Sequence, residues 1–160
     1  MGAYRIRPAL PEDLPIVLEH RRRMFEGMGY ADPATLDAVS ETSAPLLGRG
    51  LADGSYRGWL AEAGSSIVAG GGIVILDFQS HPIDPRPRRA FVVNMYTDPA
   101  HRRKGLARRL METMIAWARA EGHATIYLHA SDEGRGLYES LGFTPTNEMR
   151  LMLNGGRQCC

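Results

Sequence analysis

The stretch "DPAHRRKGLARRL", residues 98–110, runs from a turn into a helix and places Arg102, Arg103, Lys104 and Gly105 at the helix start. A helix amino end carries a partial positive charge and four N–H groups without intrahelical partners, so carboxylates are the usual company there. Basic residues have the wrong sign for that role, and Gly105, expected inside the first turn, costs about 1 kcal/mol relative to alanine. A bound anion resolves both conflicts. Consecutive backbone N–H groups and the helix dipole favour phosphate. Gly105, Leu106 and Ala107 then supply the amides and the close approach a diphosphate needs, while Arg102, Arg103, Lys104 and Arg108 neutralise it from the sides. The spacing is neither GxxxxGK[ST] nor GxGxxG, which argues against a nucleoside-triphosphate loop and a dinucleotide fingerprint.

Other residues offer proton chemistry. Tyr138, in "GLYESLGF", carries a phenol that with a pKa of about 10 stays protonated at neutral pH and can donate to a developing anion. Its plainer role is core filler where a helix meets a strand. His129 ends "IYLHA" and has the intrinsic pKa of a general base, against a plain reading as a hydrogen-bonded strand histidine. His81 lies in a proline-rich loop and reads as solvated, and Glu41 reads as a surface carboxylate that could alternatively face a ligand. "HRRR", residues 20–23, reads as a solvated helix face, the alternative being one arginine that meets an acidic ligand. The only cysteines, Cys159 and Cys160, are adjacent, which excludes a disulfide framework and gives no metal-ligand spacing; no metal is expected.

These groups must be held by elements that periodicity predicts. "YRIRPA" alternates as a strand, and Leu14, Val17, Leu18, Met24, Phe25 and Met28 recur at helical spacing. A weaker second helix follows from residue 32, with a break expected near Pro45. "RGWLAEA" and "SSIVAGGGIVIL" read as strands joined at Gly64 and Ser65, with Gly70 to Gly72 marking a bulge or close backbone approach. The loop "DFQSHPIDPRPRR" is the expected rim of a binding site and precedes "AFVVNMYT", read as a strand buried on both faces. A long helix over 105–122, with Leu106, Leu110, Met114, Ile115 and Trp117 on its apolar face, is followed by strand "ATIYLHA", helix "SDEGRGLYESLG" and closing strand "FTPTNEMRLML". The expected fold is α/β, a mixed and largely antiparallel sheet with helices on both faces, as one domain over 1–153 with a disordered tail at 154–160.

Composition narrows the function classes. A chain of 160 residues with 44% hydrophobic and 23% charged residues has globular character. Its formal charge of +1 provides no global field for nucleic acid. The start has no apolar signal-peptide core and no run is long enough to span a bilayer, so the expectation is a cytoplasmic protein with no membrane and no nucleic-acid partner.

Two motifs together carry a resemblance. "RRKGLA", an Arg-x-x-Gly-x-Ala pattern after "MYTDP", and "ASDEGRGLYESLGF" further on resemble the two cofactor segments of the GNAT superfamily of N-acetyltransferases. The resemblance implies acetyl-CoA as acyl donor, with Met95 and Thr97 pairing with the pantetheine arm and the amides from Arg103 to Arg108 around the pyrophosphate. Ser131 and Arg135 would join the cofactor from the second segment, and Tyr138 would stand near the thioester sulfur. It also implies an amine acceptor bounded by the first two helices, where Met24, Phe25 and Met28 serve either as core or as acceptor lining. Many relatives carry a carboxylate in the strand that holds Asn94, so this chain departs there, and Asn94 can at most orient a water. Acetyl transfer to an amine needs a neutral nitrogen, a stabilised oxyanion and a proton for the thiolate. The backbone near Met95 and Tyr96 is the candidate oxyanion donor, Tyr138 the candidate acid and His129 the candidate base. The competing reading is a catalytically silent acyl-CoA-binding regulatory module on the same fold; a homodimer is an open option.

Overall fold

The computed structural model describes residues 4–155. Two compact units divide the chain, residues 1–128 and 129–160. Cys159, Cys160 and most of the expected tail lie outside the described residues.

In the first unit the order is β1 (Tyr4–Pro8), α1 (Leu14–Gly27), α2 (Pro33–Asp53), β2 (Tyr56–Ala63), β3 (Ser66–Asp77), β4 (Arg88–Thr97), α3 (Leu106–Ala120) and β5 (Ile126–Tyr127). The five strands lie in sequence order in one sheet, antiparallel from β1 to β4 and parallel between β4 and β5. The second unit holds α4 (Asp132–Ser140), whose N-cap Ser131 accepts the Gly134 N–H. No described helix is long and apolar enough to cross a membrane.

Helices cover both faces of the sheet, and the three glycines of β3 show how. Gly70 faces Leu60 and His20, Gly72 lies under the Tyr56 ring, and Gly71 between them faces Met95 and Met114 of α3. The strand's alternation therefore sends odd and even positions to different helices. On one face Val17, Leu47 and Tyr56 pack with Leu14, Leu18, Leu51, Val74 and Val93. On the other, Leu110, Met111 and Met114 of α3 are fully buried and Trp117 meets Trp59 at 5.6 Å.

Several expectations are corrected. Helix α2 runs unbroken through Pro45, which is exposed, because Leu36, Leu47 and Gly50 bury the opposite side and Asp32 caps the start by accepting the Thr35 N–H at 3.0 Å. Strand β4 alternates between buried and half-buried positions along most of its length and is not buried throughout. "ATIYLHA" shrinks to two strand residues, and residues 143–153 form no strand, with Met149, Leu151 and Leu153 exposed. Alternating apolar residues allow a strand but do not supply the partner whose hydrogen bonds define one.

Candidate functional site

The turn before α3 is built from two left-handed residues. Asp98 accepts the Ala100 N–H at 3.0 Å and starts a short 3₁₀ turn, Pro99–His101. Arg102 is then extended, Arg103 has φ +62° and Gly105 has φ +77°. Gly105 is the N-cap and not, as the sequence suggested, part of the first helical turn; its glycine is required by the left-handed backbone. The first bond of the helix runs from the Arg109 N–H to the Gly105 carbonyl at 3.1 Å, so the amides of residues 106–108 stand ahead of the ladder. Such a succession of backbone N–H groups in a positive-φ turn is an anion nest. The first turn contains no acidic residue, and the space in front of Gly105 is open, with no atom within 4 Å of a Cβ built there. Leu106, 2% exposed, anchors the turn in the core, while Ala107 is half-buried and Arg103, Lys104 and Arg108 are exposed. Lys104 and Arg102 fold onto the chain, donating to the carbonyls of Ala100 at 3.1 Å and Thr97 at 3.2 Å.

Immediately before this turn, β4 presents an open backbone edge. Parallel pairing with β5 joins only Ala90 to Ile126 and Phe91 to Tyr127. On its other side β4 stays paired with β3 as far as Thr97. Among the described residues, therefore, no strand pairs with the β5 side of Met95, Tyr96 and Thr97. An extended, amide-bearing chain can add to such an edge by main-chain hydrogen bonds.

A bulge within β4 turns side chains toward α1. Its register against β3 shifts between Gly70 and Gly72, and Asn94 adopts φ +60°. Val93 packs on the Tyr56 cluster and Asn94 Nδ2 donates to the Tyr56 hydroxyl at 3.3 Å, so two successive residues address one face. Asn94 is buried, and its Oδ1 accepts from Arg21 Nη1 at 2.6 Å. The Arg21 guanidinium lies 4.9 Å from the Phe25 ring centre, and burial lowers its pKa. Burial also raises the Tyr56 phenol. His20 is 4% exposed, its ring 4.7 Å from that of Tyr96, and burial pushes its imidazole down to about 4.

Tyr56 was not singled out by sequence reasoning, and of the two readings of "HRRR" the solvated helix face fails for His20 and Arg21. The signal existed: His20 and Arg21 follow Val17 by three and four positions, the spacing of one helix face. Met24 and Phe25 are half-buried on α1, whereas Met28 caps its end and is 51% exposed.

In the second unit, Tyr138 is half-buried. Its ring is 6.0 Å from that of Phe143, and a Cβ on Gly134 would stand 2.9 Å from Tyr138 Cε2. Burial raises its phenol. Arg135 is exposed. His129 is exposed beyond the end of β5, with Nε2 3.0 Å from Glu148 Oε1, so it is not a strand histidine. Glu41 and His81 are exposed.

The proline-rich loop, the expected rim of a binding site, is fastened at the end of α3 remote from the basic turn. Arg86 Nη1 donates to the Glu121 carbonyl at 2.9 Å and Asp84 accepts from the Ala124 N–H at 3.2 Å, tying the loop to the carboxyl end of α3. The turn lies at the other end of that helix, about 22 Å away at 1.5 Å per residue.

Comparison with known proteins agrees with this geometry. Over 96% of this chain and 100% of the other, the fold superposes on a GCN5-related N-acetyltransferase from Ralstonia eutropha with TM-score 0.88 and 36% identity. A predicted acetyltransferase from Clostridium acetobutylicum, solved with acetyl-CoA, superposes with TM-score 0.88 and 25% identity over 98% of this chain and 100% of that one. Human N-acetyltransferase 8B is 32% identical over 95 residues, 56% of this chain and 39% of its own length. The chain thus spans about two fifths of the curated human relatives it matches, the same 39% applying to N-acetyltransferase 8. The model of the Acetyltransferase (GNAT) family matches residues 17–143, the stretch that contains the bulged strand, the basic turn and α4, and the chain belongs to that family.

Proposed function

We propose that this chain transfers an acetyl group from acetyl-CoA to a primary amine by direct attack. The observation that carries the reading is the succession of a β4 edge at Met95 to Thr97, unpaired among the described residues, and the left-handed turn at Arg103 and Gly105, with open space before it. The edge suits the amides of a pantetheine arm, and the turn suits a diphosphate flanked by Arg102, Arg103, Lys104 and Arg108. Ser131 and Arg135 are assigned to the same donor.

The chemistry follows from what these groups can do. The amine nitrogen forms a bond to the thioester carbon while backbone near Met95 and Tyr96 stabilises the carbonyl oxyanion. The C–S bond then breaks, the departing thiolate takes the Tyr138 hydroxyl proton, and solvent returns a proton to the phenolate. Burial raises the phenol, so the hydroxyl is protonated at neutral pH.

Proton removal from the acceptor has no side-chain base in this reading. Asn94 does not ionise, the Tyr56 phenol is raised by burial, and His20 holds a proton only below about 4. His129, with Nε2 3.0 Å from Glu148 Oε1, is the alternative to water as the base. Water takes the proton, and the rate climbs with pH until the amine is free; an alkylammonium of pKa about 10 carries a penalty of about 4 kcal/mol at pH 7.

The test is release of free CoA from acetyl-CoA over a panel of amines, amino acids and peptides, with acetyl-CoA binding measured in parallel. Release with at least one acceptor supports transfer. Binding without release across the panel supports the regulatory module instead.

A further inference from the structure

The three consecutive arginines of α1 differ in one respect. Arg22 meets Asp37 at 2.6 Å and Glu26 at 3.2 Å, and Arg23 meets Glu19 at 2.6 Å and Asp98 at 3.8 Å. Arg21, the most enclosed of the three, meets no carboxylate among the described residues. Its one hydrogen bond goes to the neutral Oδ1 of Asn94, and its Nε is buried without an acceptor. Burial already disfavours its charge. A partly buried guanidinium whose fork is only partly used is a site awaiting an anion.

We propose that Arg21 binds the carboxylate of the acceptor, making the preferred substrate an amino acid whose amine lies close to a free carboxylate. The proposal rests on the acetyl-transfer reading above. Position supports it: Asn94, the contact of Arg21, directly precedes Met95, where the reacting carbonyl is assigned. The Asn94 bulge holds the guanidinium in place without neutralising it, and a carboxylate at that position would close the ion pair within the protein. Charge supports a carboxylate over a phosphate monoester, since one cation is unengaged here and a dianion would call for a second. The Phe25 ring lies 4.9 Å from the guanidinium, and the Tyr56 hydroxyl is bonded to the same Asn94 that Arg21 contacts.

The test compares L-phenylalanine, L-phenylalaninamide and 2-phenylethylamine, with glycine and glycinamide as a smaller pair and O-phosphoethanolamine as the phosphate arm. CoA release is measured for the parent, Arg21→Met, Arg21→Lys and Asn94→Asp. In the parent, kcat/KM referred to the neutral-amine concentration of each acceptor should be about 10- to 100-fold higher for the free acid than for the matched amide, the range of a charge-assisted contact. The ratio should fall to within about threefold of unity in Arg21→Met and in Asn94→Asp, and to an intermediate value in Arg21→Lys, which keeps the charge and loses the fork. A ratio that survives Arg21→Met in folded protein, a parent that prefers amides, or a preference for the phosphate arm overturns the proposal. Should Arg21→Met fail to fold, Asn94→Asp decides. A second readout is independent of turnover: N-acetyl-L-phenylalanine or N-acetylglycine, added with CoA, should raise the melting temperature of the parent and not of Arg21→Met or Asn94→Asp. If no amine releases CoA, the transfer reading fails by itself; if neither N-acetyl amino acid stabilises the parent, the carboxylate site fails.

Discussion

Tyr56 occupies the volume that a side chain on Gly72 would need. A Cβ built on Gly72 stands 2.5 Å from Tyr56 Cζ and Oη, and the ring is 3% exposed with its hydroxyl bonded to Asn94. The middle of β3 is thin so that an aromatic ring from β2 can lie across it and reach the β4 bulge.

Gly72→Ala should therefore destabilise by about 1–3 kcal/mol, the usual cost of overpacking, and lower the melting temperature by several degrees. Gly71→Ala should be milder, because its neighbours are the flexible ends of Met95 and Met114. Thermal melts of the two variants check the order; Gly72→Ala melting with the parent would contradict the packing.

His20 predicts a pH dependence. Burial holds the folded imidazole near 4 against an ordinary 6.5, so the unfolded chain takes up a proton that the folded chain refuses. Its contribution to stability is complete above about 6.5 and is lost as pH falls from there towards about 4. Between pH 7 and pH 5 the loss should be about 2 kcal/mol. His123 shifts in the same direction, so the comparison is with His20→Gln, which should lose less over that interval in urea titrations at the two pH values.

Gly105 and Gly122 separate backbone strain from anion binding. Both are left-handed, at φ +77° and +75°, at opposite ends of α3. Valine at either position should cost about 1–2 kcal/mol of stability. Only Gly105→Val should weaken CoA binding, by tenfold or more in calorimetry, by filling the space before the turn. Equal affinities in the two variants would sink the phosphate-cradle assignment.

Tyr138→Phe keeps the ring against Phe143 and removes the hydroxyl. Turnover should fall by about 10²-fold with little change in CoA affinity, as expected for loss of a proton donor. Unchanged single-turnover rates would assign Tyr138 to packing alone.

Local physics explains how much the sequence alone determined. The basic turn, Gly105, the α3 period and the glycines of β3 were legible because caps, turns and amphipathic faces are set by residues a few positions apart. The same locality made the family resemblance readable, since both motifs are continuous. The details of Pro45 and of the closing strand were misjudged because burial of α2 and the presence of a pairing strand are properties of other segments. The Arg21 to Asn94 contact joins residues 73 positions apart, and Tyr56 reaches Asn94 across 38. Helix spacing offers Arg22 a carboxylate at Glu26 and Arg23 one at Glu19, four positions away in each case, and places Arg21 on the face of Val17. Tertiary structure decided what the sequence did not, that among the described residues Arg21 meets the neutral Asn94 and no carboxylate, because α1 lies on the sheet beside the bulge that turns Asn94 toward it.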